Sequence, residues 1–283
     1  LNKHNHLLRN VIENELTTDF IALTRQNILN DFRLVCESRQ ASLLGRKDVM
    51  GGRAKFGIFG DGKEVAQLAM ARAFKPGDFR AGYYRDQTFM MASGLLSIQE
   101  FFAQLYAHPD AEAEPSSAGR SMNGHYATRF LDAEGNWKDL TKTKNSSSDI
   151  SPTAGQMPRL LGMAQASAFY RNNPELKHPD FSKFSSNGNE IAFGTIGDAS
   201  TSEGLFWETI NAAGVLQVPM LISVWDDGHG ISVPKKYQTT KGSISAALKG
   251  FQKRSDTNGI DIYRLKGWDY AGMCEVLEHA IQK

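Results

Sequence analysis

Apolar residues recur at helical spacing through the first third of the chain. Over residues 10–45, Leu16, Phe20, Leu23, Ile28, Phe32 and Leu34 mark one or two amphipathic helices. From Asp61 onward, Val65, Leu68, Ala69 and Ala73 predict another helix, stopped by Lys75-Pro76-Gly77-Asp78. A third helix is expected over 97–107, where Ser97 and Glu100 stand in capping-box spacing. Residues 109–124 and 132–148 are polar and aperiodic, so they read as loops. A helix is expected after Pro158, using Leu160, Leu161, Ala164, Ala168 and Phe169, and residues 172–189 read as an exposed polar insertion.

The pattern then changes period. Residues 191–196 are a short apolar run ending at Gly197-Asp198, 204–216 carry helical spacing, and 218–225 are a second apolar run ending at Asp226-Asp227-Gly228. Strand, three-turn helix and strand make a βαβ unit, which requires a parallel sheet covered on both faces. A third strand over 260–265 and a closing helix over 270–281 are expected to continue the alternation. The expected fold class is α/β, a mostly parallel sheet with helices on both faces. The expected organisation is a single domain over 1–283 with a helical extension over about 1–45.

Chemistry is expected where such a sheet places it, outside the carboxyl ends of its strands. Two neighbouring parallel strands end in acid, Asp198 on one and Asp226 and Asp227 on the other. Either acid alone is more often a helix cap or a turn residue. Side by side, they suit a hard divalent cation such as magnesium, which takes a few carboxylates together with phosphate oxygens. A helix following Asp198 would aim its amino-terminal amides at the same space, a place for phosphate.

Composition narrows the partners. With 283 residues, 41% hydrophobic and 22% charged, the chain is ordinary for a globular protein, and its formal net charge of +1 gives no general pull toward nucleic acid or anionic lipid. Cys36 and Cys274, far apart in sequence, exclude a disulfide framework, so a reducing compartment is expected. The longest apolar runs, such as 220–225, fall far short of the roughly 20 residues of a membrane helix. The amino-terminal segment lacks an apolar signal core; no membrane association and a cytoplasmic location are expected. A chain beginning at Leu1 rather than Met suggests that the natural protein extends further.

Several motifs then fall in a familiar order. Gly197-Asp198-Ala199-Ser200, followed about 29 residues later by Asp227, resembles the Gly-Asp-Gly…Asn fingerprint of thiamine diphosphate enzymes. Gly62-Lys63-Glu64 resembles a Gly-Gln-Glu helix start, and Tyr83-Tyr84-Arg85-Asp86 a Tyr-Arg pair. Gly119-Arg120-Ser121-Met122 with His125 resembles a glycine-rich loop, Ser151-Pro152-Thr153-Ala154-Gly155-Gln156 a Ser-Pro-Leu segment, and 228–232 a Gly-Tyr-Ala-Ile-Ser segment. From about Arg46 to the carboxyl end, the chain is similar to alpha chains of the 2-oxo acid dehydrogenase complexes, those acting on branched-chain substrates in particular.

That resemblance implies the diphosphate-binding half of a thiamine diphosphate-dependent dehydrogenase. It implies magnesium on Asp198, Asp227 and the main chain of His229, and cofactor contacts from Tyr84, Arg85, Ser151, Thr153, Ala199 and Ser200. It assigns no catalytic base in this chain, although His125 is a candidate pocket residue. The pyrimidine-activating Glu is implied to come from a beta chain or a fused carboxyl-terminal half, with a lipoyl acyltransferase as the next partner and a dimer of such pairs as the assembly.

Departures matter too. Asp227 replaces the usual Asn, and a second carboxylate about 4 Å from Asp198 would repel it by roughly 4 kcal/mol at an effective dielectric near 20. Asn at 227 is therefore expected to preserve cofactor binding. Trp225 stands where some relatives carry Arg, and the family's late loop with its His has no counterpart before Lys283. Two other readings remain: a scaffold that kept the fold, and a nucleotide hydrolase built on residues 57–63. The latter is opposed by Glu64, which stands where a phosphate loop needs Ser or Thr.

Overall fold

A short central strand carrying a buried arginine organises the sheet. The computed structural model describes residues 23–283, so the expected apolar positions Leu16 and Phe20 lie outside the described residues. One compact unit spans Leu34–Lys283. The described helices begin with α1 (Arg25–Met50) and α2 (Glu64–Ala73). Strand β1 (Phe79–Ala81), α3 (Gln87–Ala92) and α4 (Ile98–Leu105) follow, then β2 (Asn145–Ser146) and α5 (Gln156–Asn172). The chain continues through β3 (Ala192–Gly197), α6 (Gly204–Leu216), β4 (Met220–Trp225), a hairpin of β5 (His229–Gly230) and β6 (Val233–Pro234), α7 (Ile244–Ala247) and α8 (Tyr270–Gln282).

Strand order is β2-β1-β3-β4, all parallel, with Gly197 of β3 opposite Trp225 of β4. The period-2 alternation of β3 and β4 divides two apolar layers. Phe193, Leu221 and Trp225 face a layer built with Phe74, Phe89, Phe101, Met273 and Leu277, so α2, α3, α4 and α8 cover that side. Ala192, Ile196, Ile222 and Val224 face Leu160, Ala164, Phe206 and Ile210 of α5 and α6 on the other. Helices thus lie on both faces, as expected of the α/β class.

Several expectations hold closely. Helix α6 spans the expected residues, and α4 carries the complete capping box, with Glu100 N donating to Ser97 Oγ at 3.1 Å and Ser97 N to Glu100 Oε2 at 2.7 Å. Others are corrected. Residues 260–265 form no strand: Ile260 makes one isolated bridge to Gln252, while Ile260 and Ile262 pack onto the α5–α6 layer. In α5, Leu160 and Ala164 are buried but Phe169 is exposed, and the helix begins two residues before Pro158, whose missing N–H costs nothing in the first turn.

Two strands that the apolar pattern does not mark are held by charge. Arg80 of β1 is fully buried; its guanidinium donates to Asp86 Oδ2 at 2.6 and 2.9 Å, to both Asp149 oxygens at 3.0 Å and to Ser146 Oγ of β2 at 2.8 Å. Thr195 of β3 adds a bond to the same Asp86 oxygen. Burial alone would lower the Arg80 pKa, but Asp149 and Asp86 together hold it above its ordinary value. Gly82 is required here, since a Cβ would lie 2.1 Å from Asp86 Oδ2. Among the described residues, no helix is long and apolar enough to cross a membrane.

Candidate functional site

Because β3 and β4 are parallel and in register, Asp198 and Asp226-Asp227 leave the sheet side by side. Asp198 N donates to Trp225 O at 3.3 Å, tying the two strand exits together. A 3-10 turn, Ala199–Ser202, lies between Asp198 and α6, which begins at Gly204 as expected. That turn closes on Asp198 itself, whose carbonyl accepts from Thr201 N at 3.2 Å and Thr201 Oγ1 at 2.6 Å. Ala199 lies in ordinary helical backbone, so the glycine usual there is not needed for conformation. The glycine that geometry does require is Gly230, where a Cβ would meet Ala199 Cβ at 2.6 Å, so β5 lies directly across the turn after Asp198.

The acids differ in environment. Asp198 is 3% exposed and its buried Oδ2 has no hydrogen-bond partner. Burial pushes its pKa up, and the charges of Asp227 and Asp226 push it further, against a bond from the Ala199 amide. Asp227 is exposed; Lys63 Nζ lies 2.8 Å from its Oδ2, and His229 N donates to its Oδ1 at 3.2 Å. Partial burial would raise the Asp227 pKa, but Lys63 and, more weakly, Arg85 hold it below the usual range. Asp226 is held separately, accepting from Lys235 Nζ at 2.7 and 2.9 Å. The repulsion expected from a second carboxylate is therefore partly neutralised within the chain, by a lysine to which the sequence pattern alone assigned no site role.

The cofactor-site candidates fall around these acids unevenly. Arg85 donates to Phe59 O at 2.7 Å and lies over the Tyr84 ring, 5.5 Å from its centroid. A Cβ on Gly124, beside His125, would meet Tyr84 O at 2.6 Å, so the 119–125 loop packs against the Tyr-Arg pair. His125 is buried, with Nε2 3.0 Å from Ser151 Oγ and Nδ1 without a partner. Ser200 is half-buried on the turn after Asp198, and the His229 side chain is exposed on β5. Thr153 is exposed on the turn before α5, and among the described residues no hydrogen bond joins it or Ser151 to the acids.

The unpaired atoms test what this site suits. The Tyr83 hydroxyl, close to Gly197, is buried without a partner, as are Asp198 Oδ2, Trp225 Nε1 and Gln238 Oε1. Burial drives the Tyr83 pKa well above normal. Buried polar atoms are ordinarily paired, so several orphans around one pair of strand ends fit a polar, charged occupant. Among the described residues, no group of three or more His, Cys, Asp or Glu side chains could hold a metal. A cation here would need the two carboxylates together with main-chain and ligand oxygens, a donor set natural to magnesium.

Residues 34–282 match the family model described as dehydrogenase E1 component. The chain is 27% identical over 247 residues to the 2-oxoisovalerate dehydrogenase subunit alpha of Bacillus subtilis (strain 168), covering 85% of this chain and 64% of that protein. It is 26% identical over 229 residues to the mitochondrial 2-oxoisovalerate dehydrogenase subunit alpha of Caenorhabditis elegans, covering 81% and 44%. The human mitochondrial counterpart is 24% identical over 213 residues, covering 75% and 40%. The chain thus spans between about two-fifths and two-thirds of the length of these three relatives.

Proposed function

Since the chain belongs to the dehydrogenase E1 component family, we propose that it is the diphosphate-binding half of a thiamine diphosphate-dependent 2-oxo acid dehydrogenase. The proposed reaction is oxidative decarboxylation of a 2-oxo acid with acyl transfer to a lipoyl carrier. Branched-chain acids are the first choice of substrate, in keeping with the names of the relatives, and pyruvate the second. The observation that carries the reading is the buried, unpartnered Asp198 oxygen beside Asp227 at adjacent parallel strand ends.

In this reading magnesium is held by Asp198, Asp227 and the main chain of His229. Tyr84, Arg85, Ala199 and Ser200 receive the diphosphate, and Ser151 and Thr153 face the aminopyrimidine. Thiamine diphosphate, when bound, supplies the carbon nucleophile for decarboxylation. The chain's own part is electrostatic and positional. Asp198, destabilised as an anion by burial and by its acidic neighbours, gains most from a divalent cation. Arg85 is aimed by its bond to Phe59 O and by the buried Arg80–Asp86 pair next to it in sequence. His125 holds Ser151 by its hydroxyl and is a positioning residue rather than the base.

No pyrimidine-activating Glu is assigned within these residues. The proposed partners are a beta chain or a fused pyrimidine-binding half, the lipoyl acyltransferase of the same complex, and a second such pair. The proposed compartment remains the cytoplasm. Thiamine diphosphate titrated calorimetrically into the assembled protein tests the reading. Saturable binding that needs magnesium and is abolished by a chelator is expected; no binding in the assembled protein would leave the scaffold reading standing.

A further inference from the structure

Lys63 is not an ordinary surface lysine. Its side chain is 12% exposed although its partner Asp227 is exposed, and it stands on a loop fixed by its neighbour. Glu64, 3% exposed, accepts from Gly62 N at 2.8 Å and from Arg39 Nη2 at 2.8 Å, while Lys63 N donates to Gly60 O at 3.2 Å. Gly60 in turn abuts the Arg85 carbonyl, since a Cβ there would lie 2.6 Å from it. The ammonium is therefore delivered to the strand ends by a built support. Lys235 and Lys63 are each spent on an acid of β4, and neither reaches the unpaired Asp198 Oδ2.

The geometry points to Lys63 as an exchangeable internal cation: it holds Asp227 while no metal is bound, then yields that carboxylate to the metal and pairs with the arriving diphosphate. This rests on the reading of the site given above. A divalent cation joining Asp198 and Asp227 must compete with Lys63 for Asp227 Oδ2. Once displaced, a largely buried ammonium on an anchored stem needs a new anion, because an unpaired buried charge is costly. A diphosphate entering beside Arg85 supplies one. Metal alone is therefore penalised, diphosphate alone finds its lysine occupied, and the two together satisfy every charge. Lys63 and Asp227 form a matched pair: the carboxylate that replaces a neutral amide is balanced by an ammonium on a neighbouring loop.

The test uses the full chain in its assembled form. Manganese binding is followed by electron paramagnetic resonance, and binding of inorganic pyrophosphate and thiamine diphosphate by calorimetry. Lys63→Gln is expected to tighten manganese bound alone by about tenfold and to weaken both diphosphates, at saturating metal, by about tenfold. Lys63→Arg keeps a cation and is expected to stay within about threefold of the parent on both counts. In the unaltered protein, pyrophosphate is expected to strengthen manganese binding more than it does in Lys63→Gln, a comparison that reads the exchange directly. If Lys63→Gln weakens both ligands, or shifts neither, the exchange is wrong. If the unaltered protein binds neither diphosphate with metal, the site reading itself fails, and the exchange with it.

Discussion

The tips of β3 and β4 carry the same residue type in two opposite settings. Asp198 on β3 is buried, crowded by neighbouring negative charge and left with an unpaired oxygen. Asp226 and Asp227 on β4 are exposed, and each is met by its own lysine. The first arrangement is unfavourable for an ionised, unpaired carboxylate; the second is neutral as it stands. In the proposed reading the acid without a partner carries the need for a cation, and its paired neighbour tunes how that need is met.

The largest expected effect breaks the support beneath β3. Arg80→Met leaves Asp86 and Asp149 buried without their cation and should cost about 3–5 kcal/mol in denaturant unfolding. A loss under about 1 kcal/mol would mean that the sheet does not depend on this network.

At the opposite end of β3, Asp78 gives a buried carboxylate of a different kind. It accepts from Ile191 N at 2.9 Å and Lys75 N at 2.8 Å, with Lys75 attracting it, Glu190 repelling it and Lys144 near enough to feel its charge. Burial outweighs these bonds and raises its pKa to about 6. A carboxyl raised in the folded state binds protons more tightly there than in the unfolded chain. Its contribution is thus fully present below the unfolded value and is lost as pH rises through about 6. The stability difference between the parent and Asp78→Asn should shift by roughly 2 kcal/mol between pH 4 and 7, in favour of the variant at high pH. A pH-independent difference in urea unfolding would contradict this.

Asp198→Asn sharpens the contrast itself. It should weaken magnesium-dependent cofactor binding by about 100-fold, yet stabilise the cofactor-free protein by about 1 kcal/mol by removing an unsatisfied buried charge. Loss of both binding and stability would make Asp198 a structural residue. The smallest effect is expected at the rim: Lys235→Met removes a partly exposed pair with Asp226 and should change stability by less than about 1 kcal/mol.

What the sequence made legible follows from how each element is stabilised. β3, α6 and β4 are held by apolar packing on both faces, so period and length revealed them and the acids at their ends. β1 and β2 are too short and polar to show a period; Arg80 and Asn145 are buried only because partners far off in the chain, Asp149 and the Asp78 carbonyl, help to satisfy them. Residues 260–265 are apolar enough to pack but find no ladder partner, a tertiary fact absent from local pattern. In the site, strand-end acids and the Tyr-Arg pair could be read from motifs. The Lys63–Asp227 ion pair bridges 164 positions and could have been suspected only from two departures occurring together, Lys for Gln and Asp for Asn.

Anomalous diffraction from crystals of the assembled protein grown with manganese and thiamine diphosphate bears most directly on the central claim. A single strong peak about 2.0–2.2 Å from carboxylate oxygens of both Asp198 and Asp227, bridging to the diphosphate, is the predicted result. A fully occupied cofactor whose metal touches neither carboxylate, or density for neither ligand at these strand ends, would contradict it.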